Sequence, residues 1–190
     1  MISYTELKEG MFIALNGQPF EVLGFEFLRM QQRKAVAKTR LKNLLSGAIH
    51  DQSFQASDEI EEIEIDKLNA KFLYQHRGEY WFSEADNPKD RFMLKDEALG
   101  DMAKFLKPNL ETTALKYNDK IINMEIPIKV DYKVIEAPPA LKGNTAQGGT
   151  KVVTIEGGAK VTAPLFINEG DIIKINTRSG DYVERIEKAK

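Results

Sequence analysis

Cysteine is absent from this 190-residue chain, and histidine occurs only at His50 and His76. Without thiols there is no disulfide framework, no thiolate nucleophile and no zinc site built on cysteine. Two histidines fall short of the ligand set that zinc normally takes, and a lone imidazole in a strand or turn is more often structural or solvent-facing than a general base. No uninterrupted apolar run approaches the roughly 20 residues that cross a bilayer. The opening "MISYTELKEG" carries acids where a signal peptide would be basic and then apolar. A phosphate-binding loop is missing too. "EGGAK" at 156–160 lacks the Gly-Lys-Ser/Thr ending and precedes a strand, so it reads as a hairpin turn. Carboxylates are plentiful, but none form a pair in a cleft-forming motif. The expectation is a soluble cytoplasmic protein with no membrane partner, metal, cofactor or catalytic residue.

The chain has 42% hydrophobic residues, ordinary for a folded protein, and 29% charged residues with a net charge of −2. That average hides an asymmetry. No acid occurs between Glu26 and Asp51, where Arg29, Arg33, Lys34, Lys38, Arg40 and Lys42 are all cationic. The order then inverts: Asp51, Asp58, Glu59, Glu61, Glu62, Glu64 and Asp66 follow with no Lys or Arg among them. A local basic stripe on an acidic protein suggests one surface for a polyanion, or else a solvated charged face.

Short runs rich in β-branched and aromatic residues dominate: "MFIAL", "PFEVLGFEFL", "AVAKTRL", "AKFLY", "EYWFS", "TALKY", "INMEIPIKVDYKVIE", "KVVTI", "AKVTAPLFI" and "DIIKINT". Asn16-Gly17, Arg77-Gly78, Asn118-Asp119, Gly157-Gly158, Glu169-Gly170 and Ser179-Gly180 supply turns between them. This pattern predicts barrels or sandwiches rather than βαβ units. One exception, "KDEALGDMAKFL", places Leu99, Met102, Ala103 and Leu106 at helical spacing, with Asp96 as N-cap and Pro108 past the end. A short helix among strands suits an OB-type Greek-key barrel. The acidic run and Pro127 mark boundaries that divide the chain into residues 1–63, 64–127 and 128–190. The longest irregular stretch, "APPALKGNTAQGGT" at 137–150, is either a used loop or a connector. Trp81, Tyr80 and Phe82 lie where an OB barrel can stack bases, although core packing is expected for at least two of these rings.

The stretch "FEFLRMQQRKAVAKTRLKNLLSG" at 25–47 carries the most information. In its returning strand Lys34, Lys38, Arg40 and Lys42 share one parity with Val36, and Ala35, Ala37, Thr39 and Leu41 take the other. Period-two alternation puts the cations on one face and the smaller, mostly apolar residues on the core side. Such a row suits phosphate contacts, which position a protein on nucleic acid without reading sequence. Residues 30–33 lack a tight-turn signature such as Asn-Gly and predict a protruding tip.

From end to end the sequence resembles the bacterial elongation factor P family. The stretch "APPALKGNTAQGGTKVVTIEGGAKVTAPLFINEGDIIKINTRSGDYVERIEK" carries the likeness most specifically. "ELKEGMFIALNGQPFEVLGFEF" and "FLYQHRGEYWF" support it. The resemblance implies a mainly β chain of three small barrels in an L shape: an SH3-like (KOW-type) barrel with the tRNA-contacting hairpin, then two OB-fold barrels, with one short helix in the middle domain. It also implies a non-enzymatic factor that binds the ribosome between the peptidyl and exit sites, positions peptidyl-tRNA and relieves polyproline stalls. Its expected partners are the ribosome, peptidyl-tRNA and exit-site messenger RNA, and it is expected to be a monomer.

By the same resemblance the hairpin tip is Arg29, Met30, Gln31, Gln32, Arg33 and Lys34, and Lys38, Arg40 and Lys42 form the basic strand face beside it. Gln32 falls where the family usually carries a lysine or arginine, often modified; here Met30, Gln31 and Arg33 replace the usual flanking Pro and Gly. An unmodified Gln32 amide can both donate to and accept from the CCA end. Gly143, Asn144, Thr145 and Ala146 fall on a loop, commonly Gly-Asp-Thr-Ala, that approaches messenger RNA. Tyr182 and Arg185 match positions associated with ribosome or tRNA contact, or are a surface pair finishing a strand. The two-domain hypusine-bearing relatives are disfavoured by a third unit after Pro127. An elongation factor P-like paralogue and an OB-type single-strand nucleic-acid binder remain as alternatives.

Overall fold

A computed structural model describes residues 1–28, 35–139 and 149–189. The chain is mainly β, with three five-stranded sheets in sequence order. The first holds β1 (Phe12–Leu15), β2 (Gln18–Leu28), β3 (Val36–Asn43), β4 (Ile49–Phe54) and β5 (Glu61–Glu62), in the order β4-β3-β2-β1-β5. The middle sheet holds β6 (Asp66–His76), β7 (Glu79–Glu84), β8 (Arg91–Lys95), β9 (Glu111–Tyr117) and β10 (Lys120–Glu125), in the order β10-β9-β6-β7-β8. The last holds β11 (Lys129–Glu136), β12 (Thr150–Ile155), β13 (Lys160–Pro164), β14 (Ile172–Asn176) and β15 (Asp181–Glu187), in the order β13-β12-β11-β14-β15. The strand order and the helix after β8 suit an SH3-like unit followed by OB-type units.

The turn residues do what their chemistry predicts. Asn16-Gly17, Arg77-Gly78 and Asn118-Asp119 each close a two-residue hairpin with both φ angles positive, as a type I′ turn requires. "EGGAK" is likewise the β12–β13 turn, with Gly157 at φ 93° and Gly158 at φ 89°. Pro127 interrupts the long run at 122–136, which divides into β10 and β11; proline cannot donate to a ladder.

The helical segment differs from expectation. It is one α-turn, α1 (Asp96–Leu99), continued by a 3₁₀ helix (Gly100–Phe105), and Leu106 is already extended. Gly100, at φ 52°, breaks the α geometry between the two. The N-cap is Lys95, with no side-chain cap; Asp96 is the first helical residue and its Oδ1 accepts from the Tyr80 hydroxyl at 3.1 Å. That bond competes for the carboxylate, and together with burial of the phenol it raises the Tyr80 pKa, burial contributing most.

Two apolar cores form. Leu7, Ile13, Val22, Leu41, Phe54 and Ile60 fill the first sheet. The second core runs continuously from Phe72, Phe82 and Met124 of the middle sheet to Tyr132, Ile155 and Ile173 of the last. Polar bonds lock that junction. The buried Tyr132 hydroxyl donates to the Phe105 carbonyl at 2.7 Å, and Lys107 Nζ reaches Glu156 Oε1 at 2.7 Å and the Asp131 carbonyl at 2.6 Å. Among the described residues a single such buried bond joins the first and middle sheets: Asn123 Nδ2 to the Leu44 carbonyl at 2.8 Å.

Candidate nucleic-acid interface

The alternation expected of the basic strand is present. Ala37, Thr39 and Leu41 of β3 are buried, while Lys38 and Arg40 are exposed and Lys42 is half-buried. Thr39, the polar residue on the core side, satisfies its hydroxyl by donating to the Gln52 carbonyl at 3.0 Å. The β3 strand is central, flanked by β2 and β4, so the row of cations lies in the middle of a three-strand surface.

Register shows what sequence order concealed. Lys38 lies between Glu26 and Ser53, Arg40 between Gly24 and Asp51, and Lys42 between Glu21 and Ile49. Acids therefore border the row, and the positive surface is one strand wide. Yet among the described residues no ion pair within 4.0 Å engages Lys38, Arg40 or Lys42. Their charges remain free for an incoming anion. A β-bulge makes Leu23 the extra residue of β2 and sets Gly24 opposite Arg40. With no side chain at Gly24, the Arg40 stem has room beside it: an added Cβ would lie 3.8 Å from the Arg40 Cβ.

The β2–β3 pairing continues to Leu28↔Val36, the pair next to the proposed tip. The tip residues Arg29, Met30, Gln31, Gln32, Arg33 and Lys34 lie outside the described residues, as do Gly143, Asn144, Thr145 and Ala146.

Tyr182 and Arg185 sit on β15 far along the chain from the basic row. A bulge at Val183 lets residues three apart share a face, opposite the buried Ile175 and Ile173. Arg185 is half-buried and held by contacts within its own unit. Its Nη1 lies 3.4 Å from both Asp171 Oδ2 and the Phe166 carbonyl, and its guanidinium stacks 5.0 Å from the Phe166 ring centre. The buried Asp171 also accepts from the backbone N–H groups of Ala189 and Asn168. Burial pushes its pKa up, but these hydrogen bonds and the Arg185 charge outweigh it and leave the carboxyl below its ordinary value. Arg185 thus anchors the end of β15, and Tyr182 packs half-buried against the second core.

The histidines behave as ordinary residues: His50 packs edge-on against Phe20 with ring centres 5.3 Å apart, and His76 is exposed next to a turn. Among the described residues no cluster of His, Cys, Asp or Glu suits a metal ion. An open groove of about 1760 Å³ is lined by residues of the first and middle sheets and by the turn after β14, including Lys42, Lys67, Met124, Glu125 and Thr177. It gathers no nucleophile with a base beside it. Of the three aromatic neighbours, Phe82 is fully buried and Tyr80 packs on the core, while Trp81 faces the other way. Tyr74, which sequence reasoning passed over, stacks beside Trp81. Its signal was the two-residue Arg77-Gly78 turn, which by itself makes positions 74 and 81 cross-strand neighbours; the bulge at Leu73 lies just beyond them.

Comparison with known proteins agrees with this architecture. Residues 3–60 match the elongation factor P (EF-P) KOW-like domain, and residues 130–185 match the elongation factor P C-terminal domain. The chain is 35% identical over 185 residues to elongation factor P of Moorella thermoacetica, covering 97% of this chain and 100% of that one. It is 34% identical over 189 residues to elongation factor P of Aquifex aeolicus, covering 100% and 98%. Among solved structures, a eukaryotic translation initiation factor 5A from Methanococcus jannaschii covers 65% of this chain and 94% of its own, with 15% identity and a TM-score of 0.46, too distant to bear on fold or function. Similarity above 30% along the full length, together with both terminal domains, leaves one conclusion: the chain belongs to the elongation factor P family.

Proposed function

We propose that this translation elongation factor binds the ribosome between the peptidyl and exit sites, beside peptidyl-tRNA, and speeds peptide-bond formation where consecutive prolines stall it. Proline is a rigid and poor nucleophile, so the reaction depends strongly on how the peptidyl-tRNA is held. A factor that orders the acceptor end acts by positioning, the entropic component of catalysis, and needs no reactive side chain of its own. The observation that carries this reading is the row Lys38, Arg40 and Lys42, without ion pairs among the described residues, on the strand that leads from residues 29–34. That row follows acceptor-stem phosphates, and Gln32 at the tip offers its amide to the CCA end.

Residues 1–63, 64–127 and 128–190 act as three units in an L-shaped outline, in the cytoplasm and as a monomer. The loop with Gly143, Asn144, Thr145 and Ala146 approaches exit-site messenger RNA. Asn144, in place of the usual Asp, removes a negative charge there and adds donors. Tyr182 contributes to the ribosomal contact, and Arg185 supports it by fixing β15.

Reconstituted translation of a Pro-Pro-Pro reporter tests the reading. Full-length product is expected to rise with added wild-type protein and to fall back with Gln32→Ala. Equal rescue by both proteins would move the activity away from Gln32, and no rescue by protein isolated from its native host would refute the function.

A further inference from the structure

The outward face of the middle sheet carries a second surface that the basic row does not explain. Phe72, Phe82 and Leu94 of β6, β7 and β8 point into the core. Alternation therefore sends their neighbours outward, and register arranges these in three rungs. The central rung is Tyr74–Trp81–Met93. On one side lies Lys71–Ser83–Arg91, of which Ser83 is buried and the two cations exposed, and on the other His76–Glu79–Lys95. None of the central three belongs to the core, and Tyr74 is 46% exposed. The Tyr74 and Trp81 rings lie near-parallel, with centres 6.3 Å apart and an interplanar angle of 21°, and form a paired aromatic platform.

We propose that this face binds a single-stranded RNA segment, with bases on the Tyr74–Trp81 platform and phosphates on Lys71, Arg91 and Lys95. Three features select that occupant. A near-parallel pair of rings offers a π-face to any base, and cations on both flanks follow a backbone crossing the rungs. Lys71, Arg91 and Lys95 are exposed and, among the described residues, make no ion pair within 4.0 Å. The surface also spans the first three strands of an OB-type unit, and its second and third strands are those on which that fold takes oligonucleotides. The acids present are Glu79 and, beside Lys71 on β9, Glu111; they keep the affinity modest and sensitive to salt. The choice of RNA over DNA rests on the role in translation proposed above; the site itself does not.

Trp81 is the only tryptophan, so its fluorescence reports this face alone. The full chain is titrated at low salt with an eight-residue oligouridylate. Saturable quenching is expected, weakened at least about five-fold by Tyr74→Ala, the lower end of the loss for one stacking contact. Joint Lys71→Ala, Arg91→Ala and Lys95→Ala should lower the salt slope by about 2, from about 0.7 per phosphate contact. Changing Lys38, Arg40 and Lys42 should leave the quenching intact, which separates this site from the function proposed for β3. Absence of saturable quenching overturns the proposal, as does equal quenching by polyglutamate or by duplex RNA of the same length. Tighter binding of oligodeoxythymidylate overturns the choice of RNA.

Discussion

Replacing Gly157 by alanine tests whether the junction between the middle and last sheets is as tight as the geometry requires. Gly157 has φ 93°, and a Cβ there would lie 2.7 Å from the Leu106 carbonyl oxygen, closer than real Cβ contacts come. That oxygen is backbone, directly after the 3₁₀ helix, and cannot swing aside as a side-chain tip would. Two costs follow. Holding a non-glycine residue in this conformation costs about 1–3 kcal/mol. Overpacking adds about 1–3 kcal/mol, because the turn must withdraw and carry with it Glu156, the partner of Lys107. Gly158→Ala is the internal control, since Gly158 has φ 89° but nothing within 4 Å of an added Cβ. Urea unfolding followed by Trp81 fluorescence should give a loss of about 2–6 kcal/mol for Gly157→Ala, the sum of the two. The control should lose about 1–3 kcal/mol, from strain alone. Equal losses for the two variants would refute the close approach of Gly157 to Leu106.

Tyr132→Phe removes the donor to the Phe105 carbonyl and should cost about 1–3 kcal/mol in urea unfolding. Burial, reinforced by the Glu156 charge, raises the Tyr132 pKa. The wild type should therefore lose stability as pH rises above the ordinary tyrosine value of 10.0, a dependence that the variant lacks. Asp171→Asn tests the opposite sign. Because the folded pKa is lowered, the stabilisation is present above the ordinary aspartate value of 3.8 and is lost as pH falls through the folded value. The variant should be about 1–3 kcal/mol less stable at pH 7, with a flatter acid-unfolding profile. Asn123→Ala leaves the Leu44 carbonyl without its donor and should loosen the first sheet from the middle one, seen as faster hydrogen exchange at 44–47 and a loss of about 1–3 kcal/mol.

The hairpins and the basic strand were legible because they rest on local chemistry. Asn16-Gly17 specifies its turn through positive φ, and β3 announces its two faces by strict alternation. What escaped has equally physical reasons. The β4 strand, "IHDQSF", has five exposed residues before Phe54 and carries no apolar period; pairing with β3 alone makes it a strand. The short β8 and the mostly exposed β15 lack a strong period for similar reasons. Asp96 looked like a cap because sequence cannot show that Tyr80, sixteen positions earlier, claims its carboxylate. The acids beside Lys38, Arg40 and Lys42 escaped because register, not proximity in the chain, places Glu26, Asp51 and Glu21 there. Arg185 read as a contact residue, and only the fold reveals its internal partners Asp171 and Phe166.

The central claim is that the β3 row holds peptidyl-tRNA so that a slow bond forms faster. Its most direct test is the single-turnover rate of Pro-Pro bond formation on ribosomes carrying a prolyl-peptidyl-tRNA, with wild-type protein and with Lys38→Ala, Arg40→Ala and Lys42→Ala combined. The account predicts acceleration by the wild type that weakens steeply with salt. It also predicts that the triple variant needs far more protein for the same rate, with little effect on a Phe-Phe bond. Full acceleration by the triple variant at the wild-type concentration, with unchanged salt dependence, would contradict it.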